Sequence, residues 1–184
     1  FLPRTLEGSV IAIFTDGACL DNEMPWARVG LGVYFGPNSP YNLSEQFSGS
    51  QTSQRAEIRA AVRALEKIED ILHVEGQFPG RNIVIITDSQ YVVGAMTGWL
   101  DNWRGNGWRT SGGHPVANLQ DFIELEIVVE RLEQQFDLAV RFWHVPREYN
   151  TRADALAKAA TSGGPSSAIR TQQQVMESLG LYLA

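Results

Sequence analysis

The chain has 184 residues, a formal net charge of −6, and 43% hydrophobic, 10% aromatic and 20% charged residues. These values fit one globular domain and argue against a disordered or fibrous chain, and against binding of nucleic acid by bulk positive charge. No apolar run approaches the roughly 20 residues that cross a bilayer, so we expect a soluble protein without a membrane partner. The single cysteine, Cys19, agrees with a reducing, intracellular location.

The predicted elements follow one another as three strands, a helix, a strand, a helix, a strand and a helix. Unbroken apolar runs predict strands at 10–15 and 83–87, and weaker patterns predict strands at 29–35, 41–47 and 138–143. Apolar residues at helical spacing predict helices at 53–70 and 118–132, and a last helix that begins near residue 150.

This order of elements predicts the fold class. The first three strands can pair as an antiparallel meander, whereas strand–helix–strand steps favour right-handed parallel crossovers. We therefore predict an α/β fold with a five-stranded mixed sheet, in which strands 1 to 3 are antiparallel, strands 4 and 5 run parallel to strand 1, and helices cover both faces. We expect the domain to cover residues 1–162, with a linker and short C-terminal segment at 163–184.

Two of the predicted buried strands end in the same dipeptide, Thr-Asp. Asp16 follows the first strand and Asp88 follows the fourth. Each has an ordinary interpretation, Asp16 as a turn residue before Gly17 and Asp88 as the N-cap of the next helix. If strands 1 and 4 are adjacent and parallel, however, both carboxylates reach the same edge of the sheet, where binding sites form in such folds.

Two more acidic residues lie near predicted helix starts. Glu57 begins the core-facing row of the first helix, although the helix dipole also favours a glutamate in a first turn. Asp154 lies early in the last helix, whose N-cap is expected at Asn150. Four carboxylates at one place repel one another unless a cation lies among them, and oxygen ligands favour Mg²⁺ or Mn²⁺. Two such ions can activate a water for in-line displacement at phosphorus, which predicts phosphodiester hydrolysis.

The acidic motifs together resemble those of the ribonuclease H type 1 family, in order and in spacing. They are Thr-Asp16-Gly, Gln-Arg-Ala-Glu57-Ile, Thr-Asp88-Ser and Asn-Thr-Arg-Ala-Asp154-Ala-Leu-Ala. The tryptophan-rich stretch from Gly98 to Ser111 is similar to the handle of the eukaryotic branch. The resemblance implies a ribonuclease H-like fold and an endonuclease that cuts the RNA strand of RNA·DNA hybrids. It also implies two Mg²⁺ ions, with Mn²⁺ as a substitute, and 5′-phosphate and 3′-hydroxyl ends.

The resemblance further implies roles for individual residues. The metal ligands and catalytic residues would be Asp16, Glu57, Asp88 and Asp154. The contacts to RNA 2′-hydroxyls would come from the Cys19 backbone, Asn22, Gln54 and Glu57. On the DNA side, Thr52 and Asn118 match a phosphate pocket, and Tyr91, Trp99, Trp103 and Ser111 match a DNA-binding channel. Trp103 fits a buried core position as well as it fits a DNA contact. Asn118 can also cap the helix that follows it.

The chain departs from the family pattern in the loop before the last helix, where relatives carry a histidine. An ungapped count from Asp154 puts His144 at that position. Alignment on Val145-Pro146 instead puts His144 at the end of the strand and leaves a shortened loop without a histidine. We prefer the second alignment, in which Glu148 is the nearest substitute. A second departure is Ser50, where relatives often have an arginine in the phosphate pocket, and it lowers the expected affinity for a hybrid.

Three other functions stay open. A non-catalytic module of the same fold would bind a hybrid without nicking it, although all four carboxylates are present. A phosphomonoesterase that forms an aspartyl-phosphate usually has a second acid two residues after its nucleophile, where this chain has Ala18. An integrase or transposase of the same superfamily would lack the tryptophan-rich handle. We expect a monomer, and the sequence leaves fusion to further domains open.

Overall fold

The computed structural model describes residues 9–22, 24–48 and 52–162. The strands are β1 (Val10–Leu20), β2 (Arg28–Tyr34), β3 (Leu43–Phe47), β4 (Asn82–Thr87) and β5 (Ala139–His144). The helices are α1 (Ser53–Glu75), α2 (Gln90–Gly94), α3 (Leu100–Gly105), α4 (Leu119–Phe136) and α5 (Thr151–Thr161). A π-helical turn (Ala95–Trp99) joins α2 to α3, and a 3₁₀ turn (Arg147–Tyr149) precedes α5. The expected C-terminal segment lies outside the described residues.

The predicted sheet is confirmed. Its strand order is β3-β2-β1-β4-β5, with β2 antiparallel to β1 and β3, and with β1, β4 and β5 parallel. The connections between the parallel strands contain α1 and then α2 to α4, as crossovers between parallel strands require. The carboxyl ends of β1 and β4 therefore lie side by side.

Helices cover both faces of the sheet, as predicted, and glycines set how closely two of them approach. A Cβ atom at Gly17 of β1 would lie 2.2 Å from the backbone carbon of Ala56 in α1. A Cβ atom at Gly32 of β2 would lie 2.2 Å from the carbonyl oxygen of Ala153 in α5. Gly17 pairs with Leu31, the neighbour of Gly32, so the two glycines point to opposite faces. Helix α1 thus packs on one face and α5 on the other.

The main core lies between the sheet and α1, with α4 packed beside α1. Its fully buried side chains include Ile13 of β1, Ile83 and Ile85 of β4, Leu65 of α1 and Phe122 of α4. These strand residues alternate with side chains that face α5 or solvent, the period expected of strands covered on two faces. The apolar runs of the sequence therefore fix the strands that carry the candidate carboxylates.

Within the described residues, no helix is both long and apolar enough to span a membrane.

Candidate metal centre and nucleic-acid surface

Asp16 lies inside a strand, and its interpretation as a turn residue is wrong. The ladder between β1 and β4 ends at the pair Phe14 and Ile86, but β1 continues to Leu20 because it stays paired with β2. Asp16 sits opposite Gly32 in this extension, just beyond the end of the β4 ladder. The dipeptide Asp16-Gly17 is therefore a feature of close packing against α1 and not a turn.

Asp88 directly follows β4, and it does not cap the next helix. The N-cap of α2 is Ser89, whose hydroxyl accepts a hydrogen bond from the backbone N–H of Val92 at 3.3 Å. The Asp88 carboxylate is instead held by the side chain of Asn150, whose Nδ2 lies 2.8 Å from Asp88 Oδ1. The capping interpretation of Asp88 is thus wrong, and its carboxylate is left to face Asp16.

Glu57 lies beyond the first turn of α1, where the helix dipole acts only weakly. The N-cap is Thr52, whose hydroxyl accepts a hydrogen bond from the N–H of Arg55 at 3.3 Å. Helix α1 crosses β1 at Gly17, and the backbone of Gly17 lies close enough to the Glu57 carboxylate to lower its pKa. The crossing point therefore brings Glu57 to the same edge of the sheet as Asp16.

These three carboxylates form one cluster. Asp16, Glu57 and Asp88 each offer an oxygen, and the three oxygens lie within 4.8 Å of one another. Asp16 is only 3% exposed. Asn150, which is 1% exposed, joins the cluster from the start of α5 by donating to the Thr15 carbonyl at 3.0 Å and to Asp88.

The cluster is electrostatically unfavourable without a cation. Burial, and then the charge of Asp88 and a hydrogen bond with it, raise the pKa of Asp16 to about 7. Burial, and then the charges of Asp16 and Asp88, raise the pKa of Glu57 to about 9. At neutral pH the cluster must therefore retain protons or take up positive charge.

The donor set fits a divalent cation. Glu57 Oε2 is buried and has no hydrogen-bond partner among the described residues, so this oxygen is available to a ligand. Clustered carboxylate oxygens are the ligands of hard cations such as Mg²⁺, Mn²⁺ and Ca²⁺. The three residues can therefore hold a metal ion.

The fourth predicted ligand, Asp154, stands at the edge of this cluster. Its charge contributes to the raised pKa of Asp16, so the two carboxylates interact. Both of its oxygens accept hydrogen bonds from basic side chains. Arg147 Nη2 donates to Oδ1 at 3.0 Å, and Lys158 Nζ donates to Oδ2 at 2.7 Å. The structure thus brings three of the four predicted carboxylates together and pairs the fourth with basic residues.

The loop before α5 has the geometry of the preferred alignment. His144 is the last residue of β5, where it pairs with Thr87, and the loop that follows contains no histidine. Glu148 is exposed on the 3₁₀ turn. Arg147, beside it, is the loop residue whose side chain reaches a candidate ligand.

The residues expected to contact RNA flank the cluster on the α1 side. Asn22 Oδ1 accepts a hydrogen bond from the Ser53 backbone N–H at 3.0 Å, which ties the segment after β1 to the start of α1. Gln54 is exposed in the first turn of α1, and Cys19 is half-buried near the end of β1. The hydroxyl of Thr52, which was predicted to bind DNA, accepts the capping hydrogen bond from the Arg55 N–H. Ser50 lies outside the described residues.

The residues expected to contact DNA divide into a buried and an exposed part. Trp103 is 7% exposed and packs on Tyr91 and Phe122, with ring centroids 6.4 and 5.9 Å away. Trp99 is 43% exposed, and its ring stacks at a tilt 5.8 Å from that of Trp103. The core interpretation therefore describes Trp103, and Trp99 is the tryptophan that can offer a face to a ligand.

Two further positions complete the expected DNA side. The Tyr91 hydroxyl donates to the Ala117 carbonyl at 2.8 Å, directly before Asn118. Asn118 holds the N-cap position of α4 with a left-handed backbone, but its side chain makes no capping hydrogen bond. Ser111 is exposed in a tight turn.

Sequence reasoning missed two residues of the site. Asn150 was expected only as an N-cap, yet its side chain makes no capping bond and instead links the carboxylates. Because an asparagine directly before a helix is commonly its N-cap, nothing in the sequence indicated that Asn150 would bind the carboxylates. Arg147 belongs to no motif, and only the folded loop brings it to Asp154.

Comparisons with known proteins agree with this geometry. Residues 8–162 match the family model described as RNase H. Ribonuclease H1 of Homo sapiens is 38% identical over 157 residues, an alignment that covers 82% of this chain and 50% of the human protein. This chain spans about half the length of the mammalian relatives it matches.

Two solved structures share the fold. LC9-RNase H1, described as a type 1 RNase H with the type 2 active-site motif, has a TM-score of 0.61 and 26% identity, and the match covers 86% of this chain and 74% of that one. LC11-RNase H1, solved in complex with an RNA/DNA hybrid, has a TM-score of 0.56 and 24% identity, with coverage of 83% and 97%.

Proposed function

The chain belongs to the RNase H family, and from this premise we propose that it hydrolyses the RNA strand of RNA·DNA hybrids as an endonuclease. The products would carry 5′-phosphate and 3′-hydroxyl ends. The observation that carries the proposal is the cluster of Asp16, Glu57 and Asp88, whose oxygens lie within 4.8 Å of one another at the carboxyl edge of the sheet. Such a cluster suits metal-assisted hydrolysis of a phosphodiester.

The metal ions would be held by Asp16, Glu57, Asp88 and Asp154. When bound, two Mg²⁺ ions, or Mn²⁺ in their place, supply an activated water and neutralise charge on the scissile phosphate and its leaving oxygen. Asn150 holds the Asp88 carboxylate in place, and the close packing of α1 against Gly17 positions Glu57. These neighbours fix the ligands before substrate arrives, so little reorganisation is needed at the moment of reaction.

Recognition of RNA would come from the α1 side of the cluster. Asn22, Gln54 and the Cys19 backbone lie near the start of α1 and the end of β1, next to Glu57. Glu57 would also accept a hydrogen bond from the ribose 2′-hydroxyl beside the scissile phosphate. The 2′-hydroxyl distinguishes RNA from DNA at a fixed site, so this side would select the strand that is cut.

Recognition of DNA would come from α2, the π-helical turn and α3, which carry Tyr91, Trp99 and Trp103. Trp99 offers a half-exposed ring on which a sugar or base can stack, while Tyr91 and Trp103 support it from the core. Thr52 and Asn118 would hold a DNA phosphate, and Ser111 would line the channel. LC11-RNase H1, which shares the fold, was solved in complex with an RNA/DNA hybrid, and this supports a hybrid as the ligand. We also propose that the chain acts as a monomer.

The decisive experiment compares cleavage of labelled RNA·DNA hybrid, double-stranded RNA and double-stranded DNA in Mg²⁺. We expect nicks in the RNA strand of the hybrid only, and none with Asp88→Asn. Mass analysis of the fragments would verify the 5′-phosphate. Hybrid binding without any nicking would favour the non-catalytic binding module instead.

A further inference from the structure

Asp154 differs from the other three candidate ligands in having resident counter-ions. Arg147 Nη2 binds its Oδ1 at 3.0 Å and Lys158 Nζ binds its Oδ2 at 2.7 Å, so both oxygens are engaged. Among the described residues, no basic side chain forms an ion pair with Asp16, Glu57 or Asp88, and the amide of Asn150 donates to Asp16 and Asp88. A first cation can therefore enter that cluster without displacing a basic side chain, whereas any cation at Asp154 competes with two.

The two counter-ions reach Asp154 from different places. Lys158 lies one turn further along α5, and this spacing lets the side chains meet on the surface of the helix. Arg147 comes from the 3₁₀ turn at the end of the loop, and its charge also acts on Asp16 and Asp88. Arg147 is thus the basic group that faces both parts of the site.

The ion pairs are open enough to be exchanged. The side chains of Arg147 and Lys158 are 70% and 61% exposed, while that of Asp154 is 18% exposed. Pairs with such exposed partners are weak, because water screens the charges and two long side chains lose freedom. A divalent cation carries twice the charge in a smaller volume and can replace them.

We propose that Arg147 is a positioning residue that competes with the second divalent cation for Asp154, so that the site fills in two steps of unequal affinity. Asp16, Glu57 and Asp88 take the first ion, and the second binds only when the pair between Arg147 and Asp154 opens. This inference rests on the proposed function, which supplies the two ions. Lys158 adds to the competition but does not face the first site.

The test measures Mn²⁺ binding without nucleic acid, by electron paramagnetic resonance of free Mn²⁺, for the whole chain and four variants. Wild type should bind two ions with unequal affinity. Arg147→Gln should tighten the weaker site by roughly 1.5-fold to fivefold, as expected for loss of an exposed ion pair, and should tighten the stronger site by less. Lys158→Gln should act in the same direction.

Two further variants separate competition from other effects. Arg152→Gln removes the same charge from an exposed position on the first turn of α5, so it should bind Mn²⁺ as wild type does. Arg147→Lys restores the positive charge and should return the weaker site toward the wild-type affinity. Far-ultraviolet circular dichroism shows that each variant is folded before it is titrated.

Several results would overturn the inference. They are a single Mn²⁺ equivalent in wild type, identical isotherms for Arg147→Gln and Arg152→Gln, or a weaker second site in Arg147→Gln. If wild type cleaves the hybrid while one of these results is found, only the inference on Arg147 fails. If Mn²⁺ binds as expected and no substrate is cut, the proposed function fails and the competition at Asp154 stands.

Discussion

The carboxylate cluster of Asp16, Glu57 and Asp88 and the aromatic cluster of Tyr91, Trp99 and Trp103 belong to one domain, and they are stabilised in opposite ways. Asp16, Glu57 and Asp88 are held together by the sheet ladder and the crossing of α1, although their charges repel. Trp99 and Trp103 are held by ring contacts with Tyr91 that are favourable in themselves. The comparison teaches that the carboxylate cluster needs a bound cation to offset the repulsion between its charges, whereas the aromatic cluster is stable without a ligand.

The sharpest test of the comparison removes one charge from the carboxylate cluster. Asp16→Asn should lower hybrid cleavage by at least about a hundredfold, since even partners behind a metal ligand are worth roughly ten- to a hundredfold. The same change should stabilise the metal-free protein at alkaline pH, because it removes a buried charge. Cleavage rates and urea unfolding in EDTA measure the two effects.

The matched control is Asp137→Asn, at an exposed position whose left-handed backbone also suits asparagine. This substitution should leave both the cleavage rate and the stability to urea in EDTA close to those of wild type. If Asp16→Asn cut the hybrid as fast as Asp137→Asn does, the cluster would not be the active site.

A second test uses pH. Asp16 and Glu57 have folded-state pKa values of about 7 and about 9, above their ordinary values of 3.8 and 4.5. The folded state therefore binds more protons than the unfolded one, and stability falls as pH rises through these values. In EDTA the free energy of unfolding should drop by on the order of a few kcal/mol between about pH 5 and pH 9.

Divalent cations should remove most of this drop, because they replace the protons in the cluster. Urea titrations at several pH values, with EDTA or with Mg²⁺, measure the difference. Asp16→Asn should flatten the metal-free profile. A metal-free profile that rises from neutral to alkaline pH would contradict the raised pKa values.

A third test compares the two tryptophans of the aromatic cluster. Trp103→Ala should lower the free energy of unfolding by about 3–5 kcal/mol, as large cavities in a core do. Trp99→Ala should cost clearly less stability but weaken hybrid binding by about 1–3 kcal/mol, the usual value of one lost stacking contact. Thermal unfolding and fluorescence anisotropy with labelled hybrid separate the roles, and equal effects on both measurements would show that the ring cluster acts as one unit.

The smallest expected effect is that of His144→Ala. His144 ends β5 and is not on the loop, so most of the cleavage activity should remain, within about twofold of wild type, well below the factor expected of a general acid or base. Initial rates in Mg²⁺ measure this. A loss comparable to that of Asp16→Asn would mean that His144 takes part in the chemistry and that the ungapped alignment is correct.

The sheet and its order were predictable because the strands are defined by apolar runs. Ile83 and Ile85 point into the main core, and a short run of four branched apolar residues before Thr87 and Asp88 is typical of a buried strand. Element ends were less predictable. β1 extends to Leu20 because β2 pairs with it, and Gly17 is required by α1, which local sequence cannot reveal.

The candidate site was predictable in its residue types and less so in its arrangement. Each carboxylate appeared in a recognisable motif, but Asp154 is paired with Arg147 and Lys158, and this depends on where the loop folds. Asn150 looked like a cap, and only its burial beneath Asp16 and Asp88 shows what its amide does. The sequence therefore predicted the carboxylates of the site but not the contacts between segments that are distant along the chain.

The packing of α5 has a consequence for the fourth carboxylate. A methyl group at Gly32 would meet the carbonyl oxygen of Ala153, the residue before Asp154. Gly32 belongs to β2, a strand that contributes none of the four acids. The position of Asp154 therefore depends partly on the absence of a side chain at Gly32. A single methyl group at Gly32 would push α5 away from the sheet and move the Asp154 carboxylate, although Gly32 does not contact Asp154 itself.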